Sequence, residues 1–158
     1  MTSEPASSPE HLSGGQGLKN ALRRIFDSQI PNYGAYNLVF AAPEEPEEPE
    51  QGEPPAPDGT SYVLGYRWKP AELMIAPVRV ADLSGAGSPV EINMTNLAHA
   101  TMWDDNTYEV GTSTGKVFRF AVEDQPVLDV GPGNGIVLEQ DVDRIDFDAF
   151  MEAFIGLA

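Results

Sequence analysis

Any chemistry in this chain has to come from few side-chain types. Its 158 residues hold two histidines, no cysteine, and 25 Asp and Glu against nine Lys and Arg. Without cysteine there is no thiolate nucleophile, no thiolate metal ligand and no disulfide. His11 falls in a leading stretch rich in Ser, Pro and Gly, and His99 in an alternating run. A nucleophilic site would need Ser or Thr and an acid beside that one strand histidine, and no Gly-x-Ser-x-Gly elbow occurs. Paired carboxylates can act as acid and base, but 25 of them make chance pairs inevitable. Asp141, Asp143, Asp146 and Asp148 have the density of a calcium loop. Counted from Asp141, however, position 5 is Ile145 and position 6 is Asp146, where an EF-hand needs an oxygen ligand and a glycine. Acids in that number suit a helix N-terminus, where the macrodipole favours them. The residues therefore predict no catalytic set, no metal site and no cofactor.

One string invites a cofactor. Leu128 to Gly135, LDVGPGNG, carries Asp129, Gly131, Gly133 and Gly135 after an apolar strand. It resembles the glycine-rich motif I of S-adenosylmethionine-dependent methyltransferases, which implies a loop cradling the cofactor at a helix start. Such a motif needs its context. Here Ile136-Val137-Leu138 follows at once and reads as strand, and residues 136–158 are too few for the parallel sheet of that family. The string is expected to be a tight turn between two short strands, Val127–Val130 and Ile136–Gln140.

Charge narrows the partners. The formal net charge of −16 disfavours nucleic acid, which is bound through clustered Lys and Arg, and anionic membrane surfaces. No run approaches the roughly 20 apolar residues of a membrane helix, and the first residues have neither the basic nor the apolar region of a signal peptide. A cytoplasmic protein is expected. The acidity is concentrated between Pro43 and Gly59, with seven carboxylates, six prolines and no basic residue. Such a segment cannot bury enough apolar surface to offset its ordering entropy and is expected to be a disordered insertion. Its plain role is a solvated loop; its functional role would be docking of a basic partner through Glu44, Glu45, Glu47, Glu48, Glu50 and Glu53.

The elements that would position any site follow from periodicity. Residues 1–17 are expected as a disordered tail. Leu18, Ala21, Leu22, Ile25 and Phe26 then form one stripe of a helix that ends before Pro31. Strands are expected at Tyr36–Ala42, Ser61–Trp68, Glu72–Val80 and Val90–Met94, with Pro77 marking an edge position or a bulge and Asp82–Pro89 a plain loop. Tyr62, Tyr66 and Trp68 share a strand face, expected in the core. Ala98–Trp103 and the hairpin around Ser113-Thr114-Gly115 then make a meander. In its first strand Tyr108, Val110 and Thr112 face one way and Thr107, Glu109 and Gly111 the other; in its second, Phe118, Phe120 and Val122 face one way and Val117, Arg119 and Ala121 the other. A final helix is expected from an N-cap at Asp146, with Phe147, Phe150, Met151 and Phe154 as a heavy apolar stripe.

The order predicts one α+β domain over residues 18–158: a strongly bent antiparallel sheet of seven to eight strands, an N-terminal helix and a C-terminal capping helix. Helix-after-sheet resembles the pleckstrin-homology-like (PH-like) and GRAM-like architecture. The N-terminal helix departs from that pattern, and an acidic insertion stands where phosphoinositide binders carry basic residues. A small acidic secretion-chaperone-like α+β fold is the alternative. Fold fixes function in neither case. The expected function is a non-enzymatic protein-interaction or adaptor domain with a protein partner. The alternatives are a small-molecule-binding protein or carboxylate-only enzyme, and an acidic chaperone or immunity-type protein that binds a basic partner.

Overall fold

The structure, a computed structural model, describes residues 7–30, 36–44, 60–130 and 135–158, with side chains from residue 15 onward. Two helices flank an eight-stranded antiparallel sheet, an α+β fold. Helix α1 runs from Ser7 to Gln29 and so begins well ahead of Leu18. Ser7-Ser8-Pro9 supplies the reason: the fixed backbone of proline fits a first helical turn. Of the expected 1–17 tail, only residues 1–6 fall outside the described helix.

The strands are β1 (Asn37–Pro43), β2 (Thr60–Trp68), β3 (Ala71–Arg79), β4 (Ser84–Gly85), β5 (Val90–Asn93), β6 (Leu97–Asp104), β7 (Thr107–Thr112) and β8 (Val117–Ala121). Their order is β4-β3-β2-β1-β8-β7-β6, and β5 also pairs with β3. Strand β1 joins the two halves: Asn37–Ala41 pair with β2, while Ala42 and Pro43 pair with β8. The segment expected as a plain loop thus contributes the two-residue β4. Pro77 takes a locally open edge position: on one side β3 pairs with β2 along its whole length. On the other side of β3, β5 pairs as far as Ile75 and β4 starts at Val78. Pro77 falls in that gap, and its carbonyl accepts from the Ala86 N–H there. Its missing N–H therefore breaks no ladder bond.

Period-two alternation gives the sheet two apolar faces. Inward, Val39, Leu64, Tyr66, Leu73, Ile75, Ile92, Val110 and Phe120 form one core with helix α2 (Asp141–Leu157). That core draws on seven strands, so the sheet wraps around the helix. Phe147, Phe150, Met151 and Phe154 are all buried in it, each Phe contributing about 1.5–3 kcal/mol by burial. Tyr66 meets Phe150 with ring centroids 5.0 Å apart. Asp146 is not the N-cap: α2 begins at Asp141 after Gln140, and Asp141 and Asp143 occupy the first turn. Tyr66 is buried as expected, Tyr62 is half-buried, and Trp68 is largely exposed at the strand end.

Outward, Leu18, Leu22, Ile25 and Phe26 of α1, with Ile30 just after it, pack on Phe40, Val63, Met74, Ala76 and Val78 of β1, β2 and β3. A separate antiparallel hairpin, β9 (Val127–Asp129) with β10 (Gly135–Val137), adds Leu128 to this second core. Where a methyltransferase would start a helix after its glycines, this chain makes strand β10. Gly131 to Asn134 lie outside the described residues.

Candidate interaction face

Helix α1 covers the outer face of only one half of the sheet. On the other half, β6, β7 and β8 turn Thr101, Glu109, Val117 and Arg119 outward, and among the described residues no helix packs over them. Strand β6 ends the sheet, and among the described residues no backbone hydrogen bond joins it to anything but β7. All its side chains except Leu97 and Ala100 are exposed. Two are large and apolar: Met102 is 56% and Trp103 57% accessible. Met94 in the preceding turn and Val117 on β8 are also exposed.

Trp103 is held in place by a chain of polar contacts. The Arg119 guanidinium lies over the indole, 4.5 Å from the ring centroid. Arg119 donates through Nε and Nη2 to Glu109 Oε1, at 3.1 and 2.6 Å. The other carboxylate oxygen, Oε2, is 3.0 Å from His99 Nε2. Gly111 makes this possible, since the His99 ring occupies the space a Cβ there would need. Partial burial pushes the Glu109 carboxyl upward, but hydrogen bonds and charge from Arg119 and His99 outweigh it and leave the group below the usual carboxylate range. Glu109 therefore stays ionised and anchors the arginine. Irregularities in the β6–β7 register between Leu97 and His99 and between Met102 and Asp104 bracket a regular stretch. The second of these, a bulge, re-aims Trp103.

Two other places hold polar groups together. Beneath α1, a cavity of about 200 Å³ is lined by Lys19, Asn20 and Arg23 above Val39, Val63 and Leu138; Lys19 pairs with Asp143 at its rim, 3.4 Å apart. At the base of the outer face, Glu72 on β3 is only 4% exposed. It accepts from the Tyr36 hydroxyl and pairs with Arg67 at 3.4 Å. Burial, then a hydrogen bond and the charge of Glu91 on β5, push its carboxyl up to about 7.

Of the expected docking residues, Glu44 is exposed and its N–H donates to the Arg119 carbonyl at 2.9 Å, so the acidic insertion leaves the sheet beside β8. Glu45, Glu47, Glu48, Glu50 and Glu53 lie outside the described residues. The four C-terminal aspartates have separate attachments. Asp146 and Asp148 accept from the Tyr66 and Tyr108 hydroxyls, Asp143 pairs with Lys19, and Asp141 opens the helix. His99 is on the strand face opposite Ala100, as expected, but its link to Arg119 and Trp103 depends on a three-strand register that alternation alone does not supply. The signal was partial: alternation set Glu109 apart from Tyr108 and Val110, and Arg119 apart from Phe118 and Phe120, but did not match the two strands' faces. No helix among the described residues is long and apolar enough to cross a membrane. Compared with known proteins, the chain matches no family, no curated protein and no solved structure.

Proposed function

We propose that this is a non-enzymatic protein-interaction domain of the cytoplasm that binds its partner through the outer face of β6, β7 and β8. The observation that carries this reading is Trp103, exposed and fixed by Arg119, Glu109 and His99. A rigid, exposed tryptophan is the kind of residue that dominates binding energy, because it buries a large area and loses little freedom on docking. Single apolar side chains on a surface are ordinary; Trp103 differs in being held over Arg119 on the outer face, while Met102, paired opposite Tyr108, belongs to the other face of the strand. The acidic insertion leaving at Glu44 supports a basic partner, which the net charge of −16 would attract over long range. The cavity beneath α1, about 200 Å³, is smaller than the roughly 300–1,000 Å³ of ligand pockets and gives a small-molecule function little support at that place.

The test is partner recovery from source-cell lysate at low and high salt, with the intact chain, the Trp103→Ala variant and a chain lacking residues 45–59. Recovery lost with Trp103→Ala supports the face as the docking site. Recovery unchanged by Trp103→Ala overturns it. A chain lacking 45–59 that recovers the same partner at the same salt removes the insertion from the reading.

A further inference from the structure

Strand β6 is an edge with its own constraints. Over His99–Met102 it keeps regular register with β7 and has no backbone partner on its other side among the described residues. Unpaired strand backbone is a template for another strand, and extended peptides bind by adding to such edges. Just beyond that stretch, Asp104 and Asp105 form no ion pair among the described residues. Trp103 has one face against Arg119; its large exposure leaves indole surface free for a second cation.

We infer that the edge of β6 accepts an extended, basic segment of a partner protein, which pairs its backbone along His99–Met102 and sets a Lys or Arg between Trp103 and the carboxylates of Asp104 and Asp105. This deepens the interaction-domain reading and rests on it. A second copy of this chain fits the edge poorly, since two molecules at −16 repel. The register irregularities at both ends of the stretch also limit continuous pairing between copies, a common protection of edge strands. A basic strand is not repelled, and the regular stretch His99–Met102 is long enough for a short segment to pair. Backbone pairing would supply affinity, and the aromatic and acidic end would supply register and direction.

The experiment uses the full chain and an acetylated octapeptide alternating lysine and valine. A second peptide keeps the four lysines but sets two consecutive prolines between each, so that neither side of its backbone can donate a continuous ladder. Readouts are the affinity, amide exchange along β6 and the indole N–H signal of Trp103. The inference expects the Lys-Val peptide to slow exchange across His99–Met102 by about tenfold or more and to shift the Trp103 signal. It also expects Trp103→Ala to weaken binding by about tenfold or more, and the proline peptide to bind only weakly. Equal binding of both peptides, with β6 amides unprotected, overturns strand addition. If Trp103→Ala still weakens binding in that case, the interaction face stands without it. A Trp103→Ala variant that binds the peptide and recovers the partner as the intact chain does overturns both. Concentration-dependent protection of β6 in the chain alone assigns the edge to self-association and overturns the inference.

Discussion

The side-chain amide of Gln140 serves as the missing strand partner of Phe40. Strand β8 pairs with β1 only at Ala42 and Pro43, which leaves the Phe40 backbone open on that side. Gln140 fills it: Oε1 accepts the Phe40 N–H at 2.9 Å, and Nε2 donates to the carbonyls of Phe40 and Glu123, each at 2.9 Å. The residue is 3% exposed. Gln140→Ala strands one buried N–H and two carbonyls, and is expected to cost about 2–4 kcal/mol, read as a lower urea midpoint. Gln140→Glu keeps the acceptor but aims a carboxylate at two carbonyls, so its stability should recover as pH falls and the group gains a proton.

Two tyrosines pin α2 to the sheet. Tyr66 donates to Asp146 at 2.6 Å and Tyr108 to Asp148 at 2.7 Å. Burial first, then the hydrogen bond and charge of the partner aspartate, raise both phenols well above their ordinary range. Tyr66→Phe and Tyr108→Phe should each cost about 1–2 kcal/mol. The tyrosine absorbance of the folded chain should titrate late: two phenols should ionise only as the chain unfolds in alkali. Phe147→Ala, which opens the core beneath both, should cost about 3–5 kcal/mol.

Gly65 is where the Phe26 ring of α1 presses on strand β2. A Cβ at this position would collide with the Phe26 ring. Gly65→Ala should cost about 1–3 kcal/mol by overpacking and loosen α1, seen as faster amide exchange over Leu18–Gln29. Adding Phe26→Leu should restore part of the loss, a coupling that independent sites would lack.

Glu72 makes stability depend on pH. Its carboxyl is raised from an ordinary 4.5 to about 7 in the folded chain, so between those values the native state holds more proton than the unfolded one. Its contribution is full below about 4.5 and is lost as pH rises through about 7. The thermal midpoint should therefore fall by several degrees between pH 5 and pH 8. Glu72→Gln should flatten that slope, and Glu91→Gln should reduce it by removing the neighbouring charge. A Glu72→Gln slope identical to the original would exclude this pair as its source.

Periodicity made much of the fold legible. The alternation of Tyr108 and Val110 against Glu109, and of Phe120 against Arg119, identified the two faces of each meander strand, and the Phe147, Phe150, Met151 and Phe154 spacing identified the buried side of α2. Local pattern was weaker at ends and gaps. It started α1 too late because glycines at positions 14, 15 and 17 dilute the helical signal. It gave Asp146 a capping role although Tyr66, 80 residues away in the chain, takes its carboxylate. It took Pro77 as an edge position or a bulge, but could not show that the open edge is a gap between β4 and β5.

The sequence by itself determined which side chains share a face, because that depends only on the two-residue period of a strand and the 3.6-residue period of a helix. Tertiary structure alone decided which face is covered. Helix α1 rests on β1, β2 and β3, so Val63 is core, while Arg119 and Trp103, on the far half of the same sheet, meet solvent. Coverage depends on where a distant helix lands, and that is set by long-range packing of Phe26 on Gly65 and of Leu18 and Leu22 on the outer core, contacts that no local window of residues contains.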